Sequence, residues 1–202
     1  MQEVLFQLDD VTYVSYSDES MLNDIQQLVV KDLSEPYSVF TYRYFLHNWP
    51  DLCICAYVED KENIDKKKMI ATLICKIEEG TEENLTGYIA MLTVDQGYRK
   101  KGIGMTISKM GIHRMIDKVH YLIFELFNLS KGCKEIMLET EATNKGALGL
   151  YSKLVCIKFM GKIPINYIIF FQGFIREEKL SRYYLNGGNV HLGLSHFSFV
   201  NR

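Results

Sequence analysis

The sequence predicts an α/β domain with a mixed central sheet. Three observations favour this fold class. Segments of strand character dominate the early part of the chain, helical segments lie between strands as crossovers, and two extended segments close the chain around Asn186-Gly187-Gly188. The length of 202 residues suits a single domain over 1–202 that buries its core without disulfide support.

The first half of the chain alternates strand and helix patterns. Apolar residues recur at helical spacing from Met21 to Val29, which predicts a helix. Ser20 is a candidate N-cap, and Pro36 is expected to end the helix. Tyr37–Asn48 again has helical character. The strands predicted in this half are Val11–Tyr16, Leu52–Val58, Met69–Ile77 and Gly87–Val94.

The second half begins with the turn-rich, basic segment Gln96–Lys101, after which a long helix is expected from about Gly102. The other elements predicted here are a strand over Glu135–Glu139, a helix over Asn144–Leu154, and hairpin segments over Phe174–Leu185 and Val190–Val200.

Composition and charge argue against several classes of protein. The net charge of −2 lacks the basic excess that nucleic-acid binders carry. No apolar run reaches the roughly 18 residues of a membrane span, and Met1–Asp10 has no basic region of a secretory signal. We therefore expect a cytoplasmic protein with no membrane partner and no nucleic-acid specificity.

The cysteines and histidines predict no metal and no disulfide framework. The five cysteines are odd in number and form no Cys-x-x-Cys pair. Three of them lie in predicted strands, so buried, inert thiols in a reducing compartment are expected. The five histidines are scattered, without the paired spacing of metal ligands.

A candidate anion-binding loop follows a predicted strand and opens a predicted helix, with the sequence Arg-Lys-Lys-Gly-Ile-Gly over 99–104. Glycines let the backbone approach a bulky anion, and a helix N-terminus offers unpaired N–H groups to a pyrophosphate. The loop lacks the Gly-Lys-Ser/Thr of a Walker motif, and Ile107 replaces the last glycine of a dinucleotide fingerprint. By itself, the segment leaves open a solvated basic turn.

The same loop resembles the Arg/Gln-x-x-Gly-x-Gly/Ala signature of the GNAT acetyltransferase superfamily. The resemblance implies the GNAT acyl-CoA N-acyltransferase fold, an α/β (α+β) fold in which a mixed central sheet has helices on both faces. It also implies acetyl-CoA as cosubstrate, with its pyrophosphate held by the loop amides. The cofactor-binding residues that it implies in the loop are Arg99, Lys100, Lys101, Gly102, Ile103 and Gly104.

Longer stretches resemble the NatC family, the catalytic subunits of N-terminal acetyltransferase C. They are Asp32–Ser38, Tyr42–Leu46, Trp49-Pro50, Gly87–Ile89, Met91-Leu92, Met137–Glu141, Asn144, Leu150-Tyr151, Gly173–Arg176 and Arg182–Gly187. Together they cover most of residues 30–188 in order and are far more specific than the glycine loop. The resemblance implies a catalytic pair, Glu139 and Tyr151, and a coenzyme A contact at Asn144. It also implies substrate-binding residues, which are Glu35, Tyr37, Tyr88, Tyr183 and Tyr184.

The chemistry of acetyl transfer needs such groups. An α-amine has a pKa of about 7.7–8.0 and must lose a proton before it attacks a thioester. Glu139 is the predicted general base, acting through an ordered water, and Tyr151 the donor to the leaving thiolate. Backbone N–H groups of Met91, Leu92 and Val94 would polarise the thioester carbonyl. Taken singly, a Glu at a strand end is usually solvated and a Tyr on an apolar helix face usually belongs to the core.

The NatC resemblance also implies a substrate and partners. NatC enzymes acetylate N-termini that keep Met followed by an apolar residue, and they work with auxiliary subunits and at the ribosome. We therefore expect α-amino acetylation of proteins. Two alternatives stay open, a GNAT enzyme that acetylates lysine or small amines, and a catalytically impaired isoform that only binds coenzyme A or auxiliary subunits.

Two segments, Val119–Lys131 and Val155–Gln172, have no counterpart in the family pattern. Both begin with Val, whose codons start with GT, and both can end in the nucleotides AG. We therefore hypothesise that they are translated introns, which sequencing of spliced cDNA would decide. The alternative is a genuine insertion, in which 119–131 lengthens the preceding helix or forms a flap and 155–172 separates Tyr151 from the next strand.

Overall fold

The computed structural model describes residues 3–32, 37–60, 66–79, 85–126, 133–141, 144–151 and 153–154, and towards the C-terminus 175–180, 184–186, 189–191 and 194–200. The chain divides into two compact units, one of residues 1–76 and 89–115, the other of residues 77–88 and 116–202. Three elements contribute residues to both units. The single-domain organisation over 1–202 stays a prediction.

The first unit contains the predicted strands and helices of the early chain. Its elements are β1 (Val4–Leu8), β2 (Val11–Ser15), α1 (Leu22–Val30), α2 (Val39–Asn48), β3 (Cys53–Glu59), β4 (Lys67–Glu79), β5 (Leu85–Val94) and α3 (Ile103–Leu126), with short 3-10 turns at Glu19–Met21, Pro50–Leu52 and Gln96–Tyr98. Hydrogen bonds order its strands β1-β2-β3-β4-β5. The pairs from β1 to β4 are antiparallel, with Tyr13 opposite Ala56 and Ala56 opposite Ala71.

The second unit contains the remaining elements, β6 (Cys133–Glu141), α4 (Lys145–Tyr151), β7 (Ile175–Leu180), β8 (Tyr184–Asn186), β9 (Asn189–His191) and β10 (Leu194–Val200). β10 lies between β6 and β7 and is antiparallel to both. β8 and β9 pair antiparallel, which confirms the predicted hairpin. α3 continues to Leu126, through the first part of the segment 119–131. The segment 155–172 lies outside the described residues.

Two features at the N-terminal end differ from the predictions. β1 was not predicted, and it forms because a turn at Asp9, whose φ is 51°, returns the chain into β2. Ser20 is not the N-cap that precedes α1. Instead, the Asp18 carboxylate accepts a hydrogen bond from the Ser20 N–H at 3.0 Å. Asp18 thereby caps the 3-10 turn Glu19–Met21, which leads directly into α1.

The core of the first unit lies between the sheet and helices α1 and α2. Its buried cluster combines apolar residues of α1 with Tyr42 and Leu46 of α2, Cys53 and Cys55 of β3, and Met91 of β5. Burial raises the pKa of the Cys55 thiol to about 12 and raises the pKa of the Cys53 thiol further. The expectation of buried, inert thiols is confirmed for these two residues and for Cys75.

The other face of the sheet packs closely against α3 at Gly111. A Cβ added to Gly111 would lie 2.2 Å from Leu73 Cδ2 and 3.4 Å from Cys75 Sγ. Both β4 residues are fully buried, so neither side chain has room to move aside. The glycine therefore permits the close approach of helix and sheet.

We expect Gly111→Ala to destabilise the protein by about 1–3 kcal/mol, because overpacking outweighs the better helix propensity of Ala. Urea unfolding followed by circular dichroism measures the change. Gly149→Ala in α4 is the matched control, since its Cβ would meet nothing within 4 Å. Equal midpoints for the Gly111→Ala variant and the wild type would contradict the packing argument.

Across the part of the chain that the structure describes, no helix is both long and apolar enough to span a membrane. The described side chains also include no group of three His, Cys, Asp or Glu residues that could hold a metal ion.

Candidate functional site

The candidate anion loop connects β5 to α3 and is tied to the sheet at its start. The N–H of Asp95 donates to the Ile70 carbonyl of β4 at 2.8 Å. The Asp95 carboxylate accepts from the Gly97 N–H at 3.0 Å and lies 3.3 Å from Lys68 Nζ. These contacts begin the 3-10 turn at Gln96 and hold the loop against β4.

Charge interactions keep Asp95 ionised. Burial alone would raise the pKa of the Asp95 carboxyl. The hydrogen bond from the Gly97 N–H and the Lys68 ammonium outweigh this effect and hold the pKa below its ordinary value of 3.8. A group with a lowered pKa in the folded state contributes stability above its unfolded value and loses it as the pH falls through the folded value. The contribution of Asp95 is therefore complete at neutral pH and is lost only in acid, below 3.8.

Two residues in the left-handed region shape the loop. Lys100 has a φ of 61° and Gly102 a φ of 82°. A Cβ on Gly102 would meet nothing within 4 Å, so backbone conformation, not space, requires the glycine. The Gly102 carbonyl then accepts the first helical hydrogen bond of α3, from the Thr106 N–H at 3.0 Å. The N–H groups of the first turn, at 103–105, have no intrahelical acceptor and form an anion-binding end.

The three cationic side chains of the loop differ in their surroundings. Lys100 and Lys101 are exposed, and Lys101 Nζ lies 5.0 Å from the centre of the Tyr98 ring. Arg99 instead contacts protein groups. Its Nε donates to the Val94 carbonyl at 2.9 Å, and its Nη2 lies 2.5 Å from Asp32 Oδ1. The two lysines therefore present exposed positive charge, whereas the Arg99 guanidinium is paired with a carboxylate.

β5 leads into this loop with alternating faces. Met91 is buried in the core cluster, whereas Tyr88, Leu92 and Val94 are half-buried. Because the Met91 side chain belongs to the core, only its backbone is available for the predicted cofactor contact. The structure thus brings the predicted residues of 91–104 together around one strand end and one helix start. Ile103 is buried beneath that start, and Gly104 is half-buried in the first turn.

The predicted catalytic pair and Asn144 lie in elements of the second unit. Glu139 is a residue of β6, in register with His196 of β10, which sequence reasoning did not single out. Tyr151 ends α4 and is 6% exposed. Asn144 caps α4, because its side-chain oxygen accepts from the Ala147 N–H at 3.0 Å. That bond leaves the Asn144 amide NH₂ as the group for a cofactor contact.

The predicted substrate-binding residues are only partly described. Tyr37 precedes α2, is 37% exposed, and its ring meets Tyr42 edge-on at 6.2 Å. Tyr88 is half-buried in β5, and Tyr184 opens β8 opposite His191. Glu35 and Tyr183 lie outside the described residues.

Sequence reasoning missed three residues that hold the loop, which are Asp32, Lys68 and Asp95. The Asp95-x-Gly97 pattern is a local signal, since Asp before a turn hydrogen-bonds the backbone two residues on. Asp32 had no such signal, because it lies 67 residues from Arg99 in the chain.

Comparison with known proteins places these features among acetyltransferases. Residues 22–154 match the Acetyltransferase (GNAT) family. The chain is 40% identical to N-alpha-acetyltransferase 30 of Homo sapiens over 88% of its own length and 38% of that protein. It is 40% identical to the Xenopus laevis protein of the same name over 89% of its length and 52% of that protein. It therefore spans about half, or less, of these animal relatives.

A shorter relative is matched along nearly all of its length. N-alpha-acetyltransferase 30 of Schizosaccharomyces pombe is 36% identical over 88% of this chain and 92% of the relative. Among solved structures, the NatC complex bound to Gag peptide and CoA has a chain 30% identical to this one, with a TM-score of 0.73 and coverage of 96% of this chain and 100% of that chain. Arabidopsis thaliana Naa50 in complex with the bisubstrate analogue CoA-Ac-MVNAL shares the fold, with a TM-score of 0.63, 18% identity and coverage of 94% and 98%.

Proposed function

Because the chain belongs to the GNAT acetyltransferase family and, within it, to the N-alpha-acetyltransferase 30 family, we propose that it acetylates the α-amino group of protein N-termini. Acetyl-CoA is the donor, and the preferred acceptors begin with Met followed by an apolar residue. The observation that carries the proposal is the identity of 36–40% that runs along about nine-tenths of the chain. The shape of the β5–α3 loop supports it independently.

The loop fits the pyrophosphate of acetyl-CoA. Lys100 and Gly102, which both have a positive φ, direct the chain into the N-terminus of α3. The exposed side chains of Lys100 and Lys101 add positive charge. Backbone N–H groups of Gly102, Ile103 and Gly104 are the proposed pyrophosphate donors. The strand end that contains Met91, Leu92 and Val94 carries the backbone groups that would receive the acyl end. Arg99 belongs to the same signature, and Asn144 is a further residue proposed to contact acetyl-CoA.

Glu139 and Tyr151 are the proposed catalytic residues. Glu139 accepts the proton of the substrate ammonium through a water, and the free amine attacks the thioester carbonyl. The new C–N bond forms as the C–S bond breaks, and the nitrogen releases its second proton to solvent to give the neutral amide. Tyr151 donates to the departing thiolate either a hydrogen bond or a proton that solvent then replaces. Tyr151 as a whole residue is 6% exposed, and a hydrogen bond made where water is excluded is strong.

The peptide would be held by side chains from several elements. The side chains proposed to contact the peptide are Glu35, Tyr37, Tyr88, Tyr183 and Tyr184. An apolar groove discriminates by about 1–3 kcal/mol per methylene, so overlap with related acetyltransferases is expected. Auxiliary subunits are proposed partners by analogy with the NatC complex. The ribosome is a further proposed partner, on the family resemblance alone. A cytoplasmic location stays a prediction from the sequence.

A catalytically impaired isoform is the second candidate, and the segments 119–131 and 155–172 favour it. The latter begins four residues after Tyr151, so an insertion there bears directly on a proposed catalytic residue. Binding of coenzyme A without product would distinguish this candidate from an active enzyme.

We expect acetyl transfer to a Met-Leu-starting peptide, because the family membership and the loop geometry both imply it. The experiment compares the full chain with a version that lacks 119–131 and 155–172, with mass spectrometry of the peptide as readout. The control peptide has a blocked α-amine and an internal lysine. Transfer by both proteins supports the function, and transfer by the shortened version alone supports the impaired isoform. Transfer to the lysine instead of the α-amine would contradict the proposal, as would no transfer by either version with auxiliary subunits present.

A further inference from the structure

An ion pair joins the C-terminal end of α1 to the β5–α3 loop. Arg99 Nη2 lies 2.5 Å from Asp32 Oδ1, across 67 residues of sequence. The Asp32 N–H donates to the Val29 carbonyl at 3.0 Å, so its backbone continues the last turn of α1. The Asp32 side chain is 20% exposed and that of Arg99 45% exposed. The carboxylate thus extends from a helix end that is anchored in the core.

The same guanidinium also closes the loop on itself. Arg99 Nε donates to the carbonyl of Val94, the last residue of β5, at 2.9 Å. A planar guanidinium that meets two acceptors at once is restricted in both position and orientation. Arg99 therefore joins α1, the end of β5 and the start of the left-handed turn, one residue before Lys100.

We propose that Asp32 is a positioning residue for the cofactor site, and that Arg99 serves to shape the loop instead of binding phosphate directly. The inference rests on the proposed function. With Arg99 held by Asp32 and Val94, the turn that contains Gly102 is already set, and the N–H groups of the first turn of α3 are presented before acetyl-CoA arrives. Preorganisation of this kind lowers the entropic cost of binding. Lys100 and Lys101 then supply the side-chain charge.

A rival arrangement, in which Arg99 binds a phosphate, predicts the opposite effect of removing Asp32 on the binding of coenzyme A. If Arg99 leaves Asp32 to bind a phosphate, Asp32 competes with the cofactor, and its removal should tighten binding. If Asp32 positions Arg99, its removal should weaken binding. Asp32 also borders an open cavity of about 390 Å³. Since the pair is accessible to solvent, its loss leaves no buried charge, and the variants should fold.

The test is calorimetric titration of the full chain with coenzyme A, together with acetyl-transfer kinetics. We expect Asp32→Asn and Arg99→Gln each to raise the Kd for coenzyme A by about three- to tenfold, on the scale of a partly exposed ion pair that also orders a loop. The KM for acetyl-CoA should rise in parallel while kcat stays unchanged. The double variant should bind no more weakly than Arg99→Gln alone, because Asp32 is proposed to act on the site only through Arg99. Asp24→Asn, which removes one exposed charge from the same helix, is the control and should leave Kd unchanged.

Unchanged or tighter binding by Asp32→Asn would overturn the proposal, as would additive effects in the double variant. A wild-type chain that binds no coenzyme A would overturn it as well. A wild-type chain that binds coenzyme A but transfers no acetyl group would contradict the proposed function alone, because the sign of the Asp32→Asn effect on Kd would still decide this inference.

Discussion

Replacing Glu139 with Gln should lower kcat for a Met-Leu-starting peptide by about 10²–10⁴-fold, the usual contribution of a general base. Gln keeps the size and polarity of the side chain but cannot accept the proton that the substrate ammonium must lose. KM for both substrates should change little, because the residue is proposed to act on the transferring proton and not on binding. Steady-state kinetics with purified protein measure the effect.

Two further observations make this prediction specific. Glu141→Gln is the matched control, since Glu141 lies two residues further along β6 and is replaced by the same isostere. The pH dependence provides the second, because the fall in rate at low pH that the base causes should disappear in Glu139→Gln. A variant that keeps wild-type kcat would remove Glu139 from the mechanism and leave the amine to lose its proton to solvent.

Replacing Gly102 with Val should weaken binding of coenzyme A by about 5- to 30-fold, since forcing a side chain into the left-handed region costs roughly 1–2 kcal/mol. Gly102 has a φ of 82°, and a Cβ there meets nothing within 4 Å, so the effect comes from backbone conformation. The loop would avoid the strain by rotating its N–H groups away from the pyrophosphate. Calorimetric titration with coenzyme A measures the change.

Two substitutions at position 102 distinguish the effect of backbone conformation from the effect of side-chain size. Gly102→Asn should weaken binding less than Gly102→Val, because Asn visits the left-handed region more readily. Gly97→Ala is the control within the same loop, since Gly97 is not among the positive-φ glycines of the described chain. Equal losses for Asn and Val at position 102 would indicate that side-chain bulk, not backbone strain, controls binding.

Local patterns accounted for much of the first unit. The apolar spacing of Met21–Val29 predicted α1, and continuous apolar runs predicted β3 and β4. Both predictions succeed because the pattern of buried residues in an element is visible in residues that are neighbours in the chain. The predicted Ser20 cap was wrong for a similarly local reason. Several nearby polar side chains can reach the same N–H groups, and Asp18 is the one that does.

Within the β5–α3 loop, the sequence indicated the glycine positions but not the partners of Arg99. Gly102 and Gly104 were recognised from a local signature, and of the two Gly102 is the one with a positive φ. The environment of Arg99 was not foreseen. Its signature position implied a phosphate contact, but its partners are Asp32 and the Val94 carbonyl. Which acceptor a long cationic side chain meets depends on what folding brings beside it.

The sequence by itself determined the family, the strand and helix pattern, and the position of the glycine loop, because each depends on residues that are close together in the chain. Only the tertiary structure decided which distant residues meet. Asp32 reaches Arg99 across 67 residues, and Leu73 of β4 leaves no space for a Cβ at Gly111 of α3. Such contacts depend on how a helix end or a helix face docks on the sheet, and packing of whole elements has no signature in either partner alone.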